Sequence, residues 1–354
     1  MVQTFGSWTA LFVARPLVQY WIWGEPITTL MNDIVPPGSA KLTRELLWQA
    51  CPITSFLNAV ISWFSFLIVP VLSCIAQCLP RIPSFDISMC LRKRFFYDRV
   101  VEAIDDGAKQ VLILGGGYDV LIMNLAARYP KILFVEVDHP STSVCKQAAV
   151  ERLGYRYSNA RFLPVDLSLW KLEEKIFDDC PLWKKDIRSV IVAEGLFMYL
   201  KPEAVRQCLQ SIKAITPIGS VLVFSYITKT TPMFGSVFNK SMLAVIGEPL
   251  CWTPDSEDEV SALVSSEGFL VDITPRQSDN YLQYLAKFKK GQALSALIAT
   301  LAVNPYWIDT GTLLSVKGLW VDPDNVARFL SLFRRCMLPE GSEGNIRTNA
   351  IDAC

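Results

Sequence analysis

The chain has 354 residues, with 34 Lys and Arg balanced by 34 Asp and Glu and a single His. Zero net charge argues against a nucleic-acid binder, which needs a basic face to displace counterions, and one His rules out a multi-His metal site. At 51% apolar and 19% charged, the sequence is not disordered and fills a large core with ease.

Residues 1–85 read as a hydrophobic helical N-terminal region. Trp8 to Trp23 is apolar and aromatic, broken by Arg15-Pro16. From Leu46 to Pro80, 35 consecutive residues carry no charge. Within them Ile53 to Leu79 is long enough to cross a hydrocarbon core of about 30 Å as a helix. Pro70 would kink such a helix or turn a re-entrant hairpin. Arg81, Arg92, Lys93, Arg94 and Arg99 follow, which suits a cytosolic C-terminal side, although Lys41 and Arg44 precede. There is no basic leader followed by a small-residue cleavage site, so the start does not read as a signal peptide. Two readings stand: membrane contact through residues 46–80 with the following domain facing the cytosol, or a pair of buried or partner-covering helices capping that domain. The ten cysteines contain no C-x-x-C pair and read as reduced, small apolar residues of a cytosolic protein. No metal site is expected.

Residues 86–337 form an α/β domain, and residues 338–354 a polar, flexible tail. The pattern predicts a helix over 89–106, a buried strand over Lys109–Leu114, a glycine turn at Gly115-Gly116-Gly117 and a helix from Val120 to Arg128. Strands are expected at Lys131–Val137, Arg161–Val165, Arg188–Ala193 and Ser220–Tyr226, with helices at Ser141–Leu153 and from Pro202 to Ile215. A helix over Glu257–Glu267, a strand at Phe269–Thr274 and an edge strand at Leu314–Val321 follow. Continuous apolar strands alternating with amphipathic helices mean a mostly parallel, doubly wound sheet covered on both faces.

In such sheets, ligands bind at the carboxyl ends of the strands. Four strand ends carry acids: Asp119 in the glycine turn, Glu136 and Asp138, Asp166, and Glu194. Val120 stands where a Gly-x-Gly-x-x-Gly fingerprint needs its third glycine, and no Gly-Lys-Ser/Thr follows. The turn therefore suits a ligand without a pyrophosphate. Asp138 lies 23 positions after Gly115, near the spacing at which a carboxylate accepts from ribose hydroxyls, and Glu136 competes for that role. Asp166 is placed to accept from an adenine amino group, with the Leu167 N–H donating to a ring nitrogen. Glu194 is placed to face the amine of an amino-acid-like cofactor.

At these residues the sequence resembles the leucine carboxyl methyltransferase family. The resemblance rests on Arg92-Lys93-Arg94-Phe95-Phe96-Tyr97-Asp98, on Gln110 through Asp119, and on Glu136-Val137-Asp138-His139-Pro140 with Lys146 beyond. It continues with Asp166-Leu167, with Ala193-Glu194-Gly195-Leu196-Phe197-Met198-Tyr199-Leu200, and with Gly247-Glu248-Pro249 ahead of Gly268-Phe269. It implies a Rossmann-like methyltransferase fold binding S-adenosylmethionine. Arg92 would meet the cofactor's carboxylate, Gly115 and Gly117 would allow close approach, and Asp138 would hold the ribose. Asp166 and Leu167 would frame the adenine, Glu194 would sit at the methionine end, and Tyr199 would face the methyl acceptor. A carboxylate acceptor is ionised at neutral pH and needs no general base, which agrees with the scarcity of His. His139 reads first as a structural residue. Two competing functions are a membrane-associated binding or scaffolding protein on a degenerate methyltransferase fold, and a nicotinamide-dependent dehydrogenase, which Val120 disfavours.

Overall fold

The computed structural model describes residues 7–22, 35–51, 85–227 and 247–270. Two helices, α1 (Trp8–Ile22) and α2 (Ser39–Ala50), precede a long α3 (Phe85–Asp105). The chain then alternates: β1 (Gln110–Leu114), α4 (Leu121–Arg128), β2 (Leu133–Asp138), α5 (Pro140–Arg152), β3 (Ala160–Pro164), α6 (Leu172–Asp179), β4 (Ser189–Ala193), α7 (Pro202–Ile215) and β5 (Val221–Phe224). A single 3-10 turn spans Phe197–Tyr199, and α8 (Glu257–Ser266) follows β5.

The five strands order as β3-β2-β1-β4-β5, and every pair is parallel. This is the expected doubly wound, Rossmann-like sheet. β1 and β4 are buried along their whole length, as their unbroken apolar sequences require. Period-two alternation splits the core: Val111 and Ile113 face a layer that includes α3, α4 and α5. Leu112 and Leu114 face a layer built from α6, α7 and α8, where Ile176, Leu209 and Ile212 meet them.

Arg15-Pro16 does not break α1, which runs through both residues. An internal proline costs a helix about 3 kcal/mol, and burial of Leu11, Ala14 and Leu17 offsets it. α1 packs on α2 and α3, and α2 packs on α5 and α4. The uncharged stretch therefore begins inside protein: Leu46 and Leu47 belong to the same core cluster as Phe96 and Ile122. Among the described residues no helix is long and apolar enough to cross a membrane. The candidate span Ile53–Leu79, the strand expected at Phe269–Thr274 after its first two residues, the strand expected at Leu314–Val321, and the tail lie outside the described residues. Helix α6, with Leu172 and Ile176 buried, was not foreseen.

Candidate functional site

β1 has β2 on one side and β4 on the other, so the strand order reverses between β1 and β4. The crevice outside their carboxyl ends is the ligand position of this architecture. Gly115 closes β1 and Glu194 closes β4. Gly115 and Gly117 have φ of 67° and 51°, the left-handed region that favours glycine. Gly116 is needed for a different reason. A Cβ there would lie 2.3 Å from Cδ of Glu136, which sits directly under the loop.

The loop is tied to the end of β2. The Gly117 N–H donates to Oδ2 of Asp138 at 2.6 Å, and the His139 N–H donates to Oδ1 at 2.6 Å. Burial pushes the Asp138 carboxyl above its usual range, while these two backbone donors hold it down. Each oxygen keeps a lone pair for a hydroxyl donor. His139 caps α5, its Nδ1 accepting from the Ser141 N–H, so it serves structure as expected. The Val165 N–H donates to the Asp138 carbonyl and brings the end of β3 alongside. Asp166 accepts from the Ser168 N–H and hydroxyl through Oδ1, and its Oδ2 lies 3.6 Å from His139 Nε2. Leu167 is half-buried against the second core layer.

On the other side of the loop, α3 delivers two adjacent cations. Nε of Arg92 donates to Oε1 of Glu194 at 2.8 Å, and Nζ of Lys93 lies 3.0 Å from that same oxygen. Lys93 also binds Oδ2 of Asp119, in the glycine loop, at 2.5 Å. Burial would lower the Lys93 ammonium's pKa, but the carboxylates of Asp119 and Glu194 outweigh it and raise the value. For Asp119 burial works upward, and Lys93 turns the balance so that its carboxyl lies below the usual range. Among the described residues, Oε2 of Glu194 is buried with no hydrogen-bond partner.

Tyr199, in the 3-10 turn after β4, has Thr9, Glu248 and Arg92 near its phenol. Burial raises the phenol's pKa, with Glu248 adding to it. Glu248 in turn binds the first turn of α1. The N–H groups of Trp8 and Thr9 donate to its two oxygens at 3.1 and 3.2 Å, and the Thr9 hydroxyl reaches it as well. The Ser7 N–H donates to Thr142 Oγ1 on α5. Ala10 approaches the glycine loop so closely that a Cβ on Gly117 would lie 3.0 Å from it. The start of α1 thus lies over the rim.

The structure brings the sequence candidates into one connected run: Arg92 to Glu194, Lys93 to Asp119, Gly117 to Asp138, and His139 to Asp166. Glu136 is not on the rim. Its carboxyl accepts from Lys146 at 2.7 and 2.8 Å, and both side chains are buried. Burial pushes the carboxyl up to about 7, with Lys146 opposing. Glu136 pairs in register with Ile113, whereas Asp138 is the last residue of its strand. Sequence reasoning did not assign roles to Lys93, Asp119, Thr9 or Glu248. Lys93 and Glu248 stood within motifs that carried the resemblance, but Thr9 carried no signal at all.

Residues 75–213 match the family model described as leucine carboxyl methyltransferase. Over that span the chain is similar to the leucine carboxyl methyltransferase family. A protein of Mycobacterium sp. (strain JLS) named as a putative S-adenosyl-L-methionine-dependent methyltransferase is 32% identical over 165 residues, which is 46% of this chain and 51% of the relative. One of Bacillus subtilis (strain 168), named as the putative S-adenosyl-L-methionine-dependent methyltransferase YktD, is 27% identical over 176 residues, 47% of this chain and 55% of the relative. The chain spans about half the length of these curated relatives. Among solved structures, PigF with SAH is similar at a TM-score of 0.36 and 18% identity, over 52% of each chain. Human N-acetylserotonin methyltransferase in complex with SAM is similar at a TM-score of 0.34 and 15% identity, over 52% of this chain and 50% of that one. The leucine carboxyl methyltransferase-like span covers α3 through most of α7 and holds every rim acid, while Glu248 lies beyond it.

Proposed function

We propose that this protein is an S-adenosylmethionine-dependent O-methyltransferase whose acceptor is a carboxylate of a peptide or small molecule. The observation that carries the cofactor reading is Glu194. Its buried Oε2 has no partner among the described residues, and a buried acceptor left so is costly unless a ligand donor completes it. A cofactor α-ammonium is such a donor. The other residues fit the same ligand: Asp138 for the ribose hydroxyls, Asp166 and Leu167 for the adenine, Arg92 for the carboxylate, and Gly115 and Gly117 for close backbone approach.

When bound, S-adenosylmethionine supplies an activated methyl group on a sulfonium, transferred in line to a nucleophile. The protein's part is alignment and exclusion of water. The first turn of α1 covers the rim beside Tyr199 and limits water there. The Tyr199 phenol, its pKa raised by burial, stays protonated at neutral pH. It can therefore orient an acceptor oxygen by donating a hydrogen bond, but it does not act as a general base. That favours an acceptor already ionised, which a carboxylate is. On hydropathy alone, the part of residues 46–80 that follows the buried Leu46, Leu47 and Cys51 supports a membrane contact, for which co-flotation of the full chain with lipid vesicles is the expected outcome.

The acceptor class is tested by incubating the protein with methyl-labelled S-adenosylmethionine and an extract of peptides and small molecules. A carboxylate acceptor gives a methyl ester, so label should be released as volatile methanol at alkaline pH. Label that is transferred but resists base would place the methyl on an ether oxygen, nitrogen or carbon and would reject the carboxylate.

A further inference from the structure

We propose that Lys93 is a positioning residue: it fixes the rotamer of Glu194 so that one carboxylate oxygen is reserved for the ammonium of the cofactor's amino-acid head. The inference rests on the cofactor reading above and extends it to a residue that does not itself touch the ligand.

Three observations lead there. First, the two cations of α3 converge on one oxygen. Arg92 Nε lies 2.8 Å and Lys93 Nζ 3.0 Å from Glu194 Oε1, whereas Oε2 is buried without a partner among the described residues. A carboxylate held by a single cation swings to share both oxygens. Two donors on the same atom leave the other atom directed away. Second, Lys93 is anchored at its far side. Nζ binds Asp119 Oδ2 at 2.5 Å, and Asp119 Oδ1 in turn accepts from the Leu121 N–H at 2.9 Å, at the start of α4. Lys93 therefore spans from the turn after β1 to the end of β4, across the crevice where the strand order reverses. Third, the bridge is shielded from water. The Lys93, Glu194 and Asp119 side chains are 10%, 7% and 14% exposed. In that setting an ion pair is screened little and holds its geometry.

The charges also balance. Arg92 and Lys93 offset Glu194 and Asp119, so the group carries no net charge of its own. An incoming ammonium adds one positive charge beside an oxygen that has no donor, and an incoming carboxylate adds one negative charge near Arg92. A zwitterionic amino-acid head thus enters without upsetting the balance, while a ligand with a bare cation or anion does not.

The test separates the head of the cofactor from its nucleoside. S-adenosylhomocysteine carries the amino-acid head, and 5′-methylthioadenosine lacks it. Both are titrated by calorimetry into the full-length wild type, into Lys93→Met, and into Lys93→Met/Asp119→Asn, which avoids leaving a buried carboxylate unpaired should the single variant fail to fold. The expected result is a loss of about ten- to hundredfold in affinity for S-adenosylhomocysteine, the range of a charge-assisted hydrogen bond, with affinity for 5′-methylthioadenosine unchanged. Glu194→Gln should reproduce that selectivity, and adding Lys93→Met to it should cost little more. An equal loss for both ligands would make Lys93 merely structural, and no loss for either would remove its role; both overturn the proposal. A wild type that binds neither ligand would overturn the cofactor reading itself, an outcome distinct from either.

Discussion

A methyl group added at residue 116 would fall 2.3 Å from Cδ of Glu136 and 2.6 Å from its Oε2. That carboxyl is locked on Lys146 and cannot swing away. Gly116→Ala should therefore destabilise the fold by about 1–3 kcal/mol, the usual range for overpacking, and denaturant unfolding would read it as a lower midpoint. The sequence shows three glycines in a row but does not tell which is needed for conformation and which for space. It also leaves Glu136 and Asp138 as rivals, since both carry carboxyls on one face of β2. Two residues of strand, roughly 7 Å, decide between them: Glu136 lies under the loop and Asp138 at the rim. The Lys93–Asp119 pair makes a prediction in pH. Asp119 is depressed below the usual 3.8 by Lys93, so its ion-pair contribution is fully present above that value and is lost as pH falls through the lower, folded one. The stability gap between wild type and Asp119→Asn should be constant near neutrality and should narrow below about pH 4 in urea titrations.

Helix α1 is the element whose behaviour the sequence hid. Its Arg15-Pro16 looks like a break, yet tertiary burial of Leu11, Ala14 and Leu17 carries the helix through. Its contact with Glu248 joins residues about 240 positions apart, beyond the reach of any local pattern. Glu248 accepts from the Trp8 and Thr9 N–H groups, which otherwise lack partners within the helix, and a carboxylate at a helix N-terminus is favoured by the dipole as well. Glu248→Ala should cost about 1 kcal/mol, as loss of a cap does. Hydrogen exchange at the amides of residues 8 and 9 should accelerate while the sheet stays protected. Glu248→Gln keeps an acceptor and should recover part of that protection. By contrast, α7 was legible almost to the residue: Pro202 opens it, and Val205, Cys208, Leu209, Ile212 and Ile215 keep helical spacing into the core. α6 was missed because two buried residues among acids make too weak a period.

For the whole molecule, the parallel sheet was readable because buried strands such as Val111–Leu114 and Val190–Ala193 write themselves as unbroken apolar runs. The acids at their ends were readable for the same reason, since a charge next to such a run marks where the strand leaves the core. Strand order, and with it the adjacency of Gly115 and Glu194, has no local signature in the sequence and is set by the assembled sheet, in the order β3-β2-β1-β4-β5. The N-terminal region split differently from its hydropathy. α2 covers α4 and α5 from outside the alternating α/β unit, so part of what reads as membrane-seeking surface is core. The claim on which the functional account turns is that this rim holds an adenosyl amino acid with Asp138 on its ribose. Calorimetric titration of S-adenosylhomocysteine into wild type and into Asp138→Ala tests it most directly, with circular dichroism to verify the fold of each. The account predicts saturable binding to wild type and its loss in a folded Asp138→Ala; equal affinity for both would contradict it.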